Sequence, residues 1–256
     1  MKEEKVLIPA TALPEHKEEQ EVKVIHNYKD SLFVDLFGRC KDAKENFISL
    51  YNAITDKNLD YKTAEVKPMM LEQTIYTGRY NDVSMIVDNK LIVLVEHQST
   101  VNENMPFRFL EYITKIYEKL IPPRSRYTKE QVKLPTPEFY VIYNGEEDYP
   151  AEKTQKLSDA FLLKNASSKK NDTEKDNTEK NTLELLVKVF NINKEQDTSK
   201  LMKCIPLAGY TKLINTVHTL MSQDVPCAEA VDSAVKQCIS QGILKDYLLY
   251  NSTALS

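Results

Sequence analysis

Apolar residues recur along this chain at three different spacings, and each spacing predicts a different element. Leu32, Phe33, Leu36 and Phe37 follow the three-to-four-residue period of a helix, with Asp30 or Ser31 as the N-cap and Gly38 as the stop. Phe47, Ile48, Leu50, Tyr51 and Ile54 repeat the pattern in a second helix from about Ala43. Leu183, Leu185, Val187 and Val189 recur at every second position, which predicts a strand ending at Asn191-Ile192-Asn193. Leu91 to Val95 is an unbroken, β-branched apolar run, which predicts a strand buried on both faces in the middle of a sheet.

That run belongs to the stretch around which the chain is organised, Asn81–Thr100. It reads as two strands about an Asp88-Asn89-Lys90 turn, because Asp and Asn tolerate left-handed backbone angles. Side chains alternate along a strand, so Glu96 and Gln98 share one face and His97 takes the other. A three-residue loop, Asp88–Lys90, sets Asp82 across from Glu96. A two-residue loop pairs Asp82 with Val95 and sends the two acids to opposite faces. Under the first register two carboxylates meet within roughly 5 Å, and such a pair repels unless a cation such as Mg²⁺ or Mn²⁺ lies between. The pattern leaves a second reading open, in which Asp82 and Glu96 are simply solvated strand ends.

Elsewhere, Met69, Leu71 and Thr74–Tyr76 suggest a strand leading to Gly78, and Pro106 opens a helix whose apolar arc is Phe109, Leu110, Ile113, Ile116, Tyr117, Leu120 and Ile121. Arg108, Tyr112, Lys115 and Lys119 form a stripe away from that arc. Met105–Lys133 carries seven Lys/Arg against three Glu, although the whole chain has a net charge of −4. A basic stripe just after paired acids suits a phosphodiester, although a solvated helix face is the commoner explanation of such a stripe. Pro137–Gly145 predicts a further strand, and Pro150 a short helix containing Leu157 and Phe161. Helices over about 198–222 and 228–250 follow. Asp35 reads as solvated and His218 as a packed histidine.

Residues 1–26 are charged and read as a loosely ordered arm, neither signal peptide nor membrane span. Residues 164–182 hold one apolar residue, an alanine, and predict a disordered insertion. The 41% hydrophobic content supports a packed core, and five glycines with no P-loop, GxGxxG or GxSxG argue against nucleotide-loop and serine-hydrolase chemistry. The four cysteines, Cys40, Cys204, Cys227 and Cys238, are scattered and predict reduced thiols in a cytoplasmic protein. The division expected is an arm (1–26), an α/β domain (27–193) with a central mixed sheet, and a C-terminal helical extension (194–256).

Several stretches carry a family resemblance: KDSLFVDLFG (29–38), SLYNAI (49–54), GRYNDVSMIVDNKLIVLVEHQST (78–100), NMPFRFLEYITKIYEKL (104–120), PTPEFYVIYNG (135–145) and VKVFNIN (187–193). Their order resembles the PD-(D/E)XK, restriction-endonuclease-like superfamily, and within it the Rpn family of recombination-promoting nucleases and putative transposases. The resemblance favours the three-residue loop. It implies that Asp82 and Glu96 ligate Mg²⁺ or Mn²⁺ with the backbone carbonyl of His97. It also places Gln98 at the superfamily's lysine position, making Asp82, Glu96 and Gln98 the catalytic set. The implied activity is metal-dependent hydrolysis of DNA, with Arg108, Lys115 and Lys119 as DNA contacts. Gln98 carries no positive charge for the transition state, a role Arg108 or Lys115 would have to take. A catalytically weak DNA-binding or interaction protein, and an oligomerisation protein with solvated acids, are the competing expectations. The implied partners are DNA and a second copy of the chain, not a membrane.

Overall fold

The computed structural model describes residues 31–69, 82–162, 182–193 and 199–252, with backbone alone at Asp82. The expected arm, all but the last residue of the expected insertion, and the expected strand from Leu71 to Tyr76 lie outside the described residues.

Six strands form one mixed sheet in the order β1-β2-β3-β4-β6-β5: β1 Val66–Pro68, β2 Asp82–Val87, β3 Leu91–Gln98, β4 Thr136–Tyr143, β5 Glu152–Lys156 and β6 Leu186–Asn191. β1, β2 and β3 are antiparallel neighbours; β3, β4 and β6 run parallel, and β5 closes the far edge antiparallel to β6. The parallel step from β3 to β4 is bridged by a helix, α3 (Met105–Leu120), since a tight turn cannot join parallel strands. Tucked inside, β3 is buried from Ile92 to His97, the position predicted by its unbroken apolar run.

Two apolar layers cover the sheet. On one face, α1 (31–38), α2 (Ala43–Thr55), α4 (Ile205–Met221) and α5 (Cys227–Ser240) pack Phe33, Phe37, Phe47, Tyr210 and Leu213 against Val83, Val93, Val95 and Ile142. On the other face α3 sets Met105, Phe109, Ile113 and Ile116 on Ile92, Leu94, Phe139 and Val141. The architecture is an α/β, restriction-endonuclease-like core followed by C-terminal helices.

Three expectations need correction. The stretch after Pro150 forms strand β5, with only a 3₁₀ turn at Leu157–Ala160, because a polar EKTQK segment can pair at a sheet edge without burying an apolar face. Among the described residues Val66–Pro68 forms a strand before the hairpin, and Met69 lies just outside it, contributing one N–H to Ser84 O at 2.7 Å. The final helix divides into α5 and α6 (Lys245–Ser252) where Gly242 and Leu244 adopt φ of 75° and 47°. None of the four cysteines forms a disulfide among the described residues. Among the described residues no helix is long and apolar enough to cross a membrane.

At the start of β4 a polar cluster ties α2 to the sheet. Tyr51 and Tyr140 hydroxyls donate to Glu138 Oε2 at 2.9 and 2.7 Å, and Lys57 Nζ lies 3.3 Å from Oε1. Burial works to raise the Glu138 carboxyl, but the donors Tyr140, Tyr51 and Lys57 outweigh it and hold the group below its ordinary 4.5. A carboxyl depressed in the folded state contributes stability above its unfolded value and loses it as pH falls through the folded one. Glu138→Gln is therefore expected to cost about 1–2 kcal/mol near neutrality. The gap to wild type should close as pH drops below 4.5. Urea unfolding at both pH values measures this, and a gap independent of pH would remove the ionised carboxylate from the account.

Candidate active site at the end of β3

The turn that fixes the hairpin has two successive left-handed residues, Asp88 and Asn89, with φ of 51° and 53°. Lys90 N–H returns to Val87 O at 3.0 Å, and Asp88 Oδ1 accepts the Glu65 N–H at 2.8 Å. The resulting register pairs Val87 with Leu91 and, five residues along, Asp82 with Glu96. The three-residue loop is thus the one present, and the two acidic positions face each other across neighbouring strands. The Asp82 side chain is outside the described residues.

Glu96 is 1% exposed, and a carboxylate so placed requires a countercharge. Arg108, in the first turn of α3, supplies it: Nη2 lies 2.8 Å from Glu96 Oε1, with the arginine side chain 17% exposed. Gln98, two residues on and so on the same face, donates its amide to the same oxygen at 3.0 Å. Arg108 Nη2 also donates to the Tyr112 hydroxyl one helical turn along at 2.9 Å, and Nη1 lies 3.6 Å from the Met105 sulfur. Pro106 helps place this turn: it sits in the first turn of α3, where a missing N–H costs nothing. The consequence is a buried carboxylate, a guanidinium and an amide converging beside the Asp82 position.

His97 points through the sheet to the opposite face. Its ring stacks on Phe33 with centroids 5.1 Å apart, and Nε2 lies 2.8 Å from the Tyr210 hydroxyl on α4. Asn144 Nδ2 donates to Tyr210 Oη at 3.2 Å, while Ser99 Oγ donates to Asn144 Oδ1 at 3.2 Å. Tyr210 Oη therefore joins Asn144 of the loop after β4 to His97 of β3 in one buried network. The strand end is thus anchored from below by the C-terminal helices and from above by α3.

A comparison with protein families bears on this arrangement. The family described as "Putative transposase, YhgA-like" matches residues 27–225, from just before α1 through the whole of α4. The chain belongs to that family. The family is part of the PD-(D/E)XK, Rpn-like group, as the hairpin motif implied. No curated protein and no solved structure matches the chain. The matched span includes Tyr210, so the anchor beneath His97 lies within the family region.

The structure brings together Glu96, Gln98 and Arg108 and sets the Asp82 position beside them. It separates the side chain of His97 from them by the thickness of the sheet. Lys115 and Lys119 lie further along α3 than Arg108, half-buried and exposed respectively. Arg108 departs from the solvated stripe expected for it, because its guanidinium turns inward to Glu96. Asp35, expected in solvent, accepts the Tyr247 hydroxyl at 2.6 Å and links α1 to α6. His218 packs at the end of α4, with Nδ1 3.4 Å from Glu146. Tyr210 escaped the sequence reading altogether; it lies 113 residues from His97, with no local pattern to signal it. Tyr112 was visible as the i+4 neighbour of Arg108. Among the described residues no group of three or more His, Cys, Asp or Glu side chains is arranged to hold a metal.

Proposed function

We propose that this chain is a metal-dependent DNA endonuclease that hydrolyses phosphodiester bonds, of the Rpn type and associated with recombination or mobile elements. The observation that carries the reading is the register of β2 and β3, which sets Asp82 across from a buried Glu96. Family membership supports the same reading. The donor set at this place is oxygen only, carboxylate at both positions, which fits a hard cation such as Mg²⁺ or Mn²⁺. Asp82 and Glu96 would hold the ion, with the His97 carbonyl as a third donor. When bound, the ion would lower the pKa of an attacking water and neutralise charge on the phosphate.

The chain's own groups do the rest. Gln98 donates from the face on which Glu96 sits and can orient a water by hydrogen bonds. Arg108 supplies the positive charge that Gln98 lacks, in a water-poor setting where charge stabilisation is strong. Lys115 and Lys119 extend positive charge along α3 for the flanking phosphates.

One observation favours a second reading, a nuclease-fold DNA-binding protein of low catalytic power: Glu96 already has an internal cation on it. Supercoiled plasmid separates the two. The endonuclease reading expects nicking with Mg²⁺ or Mn²⁺, abolished by EDTA and by Asp82→Ala or Glu96→Ala. Plasmid retardation without nicking in any metal would leave the second reading standing, and equal cleavage by both variants would sink the site.

A further inference from the structure

We infer that the 3₁₀ turn after α3 is a second nucleic-acid contact, in which Tyr127 stacks against an unpaired base of a bound strand. The inference rests on the nuclease reading for the identity of the strand, but not for the chemistry of the contact. Tyr127 is 90% exposed, and it sits in Pro123–Tyr127, the 3₁₀ turn that follows α3. A lone surface tyrosine is ordinary; this one differs in three respects.

Its backbone is held. Pro122 precedes the turn and Pro123 opens it, Ser125 N–H bonds to Pro122 O at 3.0 Å, and the Thr128 hydroxyl bonds to Ser125 O at 2.9 Å. A ring presented on a fixed turn loses little freedom on binding.

Its surroundings are mainly cationic, three basic groups beside Glu118 and Glu130. Arg124, Arg126 and Lys129 are exposed and make no ion pair among the described residues, in a chain of net charge −4. Exposed guanidinium and ammonium groups around an exposed aromatic ring are what a sequence-tolerant strand contact requires: charge for phosphates, a flat face for a base. Leu134 is the other exposed large apolar side chain of this stretch, too little for bilayer insertion.

Its position suits the candidate site. The turn flanks a groove of about 580 Å³ lined on one side by Thr114, Tyr117 and Glu118 of α3 and on the other by Ser125, Arg126 and Lys129. It therefore lies at the end of α3 away from Arg108. From Arg108 to Leu120 the helix rises roughly 18 Å. At about 3.4 Å per nucleotide that is roughly five nucleotides from the candidate site. A strand laid along α3 would thus meet Arg108, Lys115, Lys119 and then Tyr127.

Fluorescence anisotropy of the full chain in EDTA, with a labelled single-stranded oligothymidine and a blunt duplex of equal length, tests this without any cleavage. Tyr127→Ala should weaken single-strand binding by about fivefold or more, with a smaller effect on the duplex, and Tyr127→Phe should restore it. Arg124→Ala with Arg126→Ala should flatten the salt dependence of binding. Single-strand affinity unchanged in Tyr127→Ala, or not rescued by Phe, overturns the inference. So does Tyr127-dependent co-sedimentation with phosphatidylglycerol vesicles in place of strand binding, or no oligonucleotide binding at all. If oligonucleotide binding ignores Tyr127 while plasmid is nicked, this contact falls and the nuclease reading stands. If Tyr127-dependent binding occurs without nicking, the reverse holds.

Discussion

Arg108→Met should destabilise the fold by about 3–5 kcal/mol, because it takes the cation from a carboxylate kept out of water. Glu96 is 1% exposed and Arg108 Nη2 lies 2.8 Å from it, so water cannot substitute for the guanidinium without opening the packing between α3 and β3. Methionine keeps much of the stem and its apolar contacts, so the loss reports charge rather than volume. Glu96→Gln in the same chain should recover part of the loss, since a neutral amide in place of Glu96 needs no countercharge. The double-mutant cycle therefore carries a large coupling term. Urea unfolding of the four proteins measures it. Stability of Arg108→Met within about 0.5 kcal/mol of wild type would mean that the pair is solvated in solution. Under the proposed function the same change also lowers metal-dependent cleavage, by something on the order of 10²–10³.

The pair shows how one residue can hold the fold and, under the proposed function, also serve the chemistry. The end of β3 carries Glu96, His97 and Gln98 in succession, and alternation sends them to two different faces. On the α3 face, Arg108 and Gln98 hold Glu96 Oε1. On the other face Tyr210 and Phe33 hold His97. Apart from Gln98, no residue of the hairpin supplies either grip. The carboxylate's direction is set by two elements that meet only after the sheet has formed, one of them on the C-terminal helices. A rigid base of this kind is what a catalytic carboxylate needs.

How far the sequence anticipated this depends on whether local pattern was enough. The hairpin was legible as two strands, but a period of two and a turn with Asp-Asn chemistry left two registers open, and only the family resemblance favoured the three-residue loop. The buried run of β3 and the apolar arc of α3 were legible from local pattern. Arg108 was misplaced because a helical wheel separates polar from apolar positions and cannot show that a polar residue has a buried partner on another element. β5 was missed because an edge strand needs no apolar stripe. The break between α5 and α6 had a signal in Gly242, whose φ of 75° ends the helix, but the apolar period ran on past it. Tyr210 had no signal, since nothing near it in the chain depends on His97.

Gly145→Ala should cost about 3 kcal/mol or more and damage the candidate site without touching any of its side chains. A Cβ at Gly145 would run into the backbone oxygen of Ser99, and into the Tyr143 ring at 2.5–2.6 Å. Neither can yield cheaply. Ser99 directly follows Gln98, whose carbonyl accepts the Asn144 N–H at 2.9 Å, and Asn193 Nδ2 donates to Gly145 O at 2.6 Å. Tyr143 is buried and its hydroxyl donates to Glu147 O at 3.2 Å. Relief of the clash must therefore pull the Ser99 backbone away from Asn144 or expel Tyr143 from its packing. The first of these displaces the strand end that aims Glu96 and Gln98. Gly242→Ala is the matched control: it meets nothing within 4 Å and suffers only its φ of 75°, a cost of about 1 kcal/mol. Thermal and urea unfolding of the two variants compare a close approach with a backbone preference. If Gly145→Ala is no less stable than Gly242→Ala, the segments after β3 and β4 are not packed as closely as described, and the support under Gln98 must come from elsewhere.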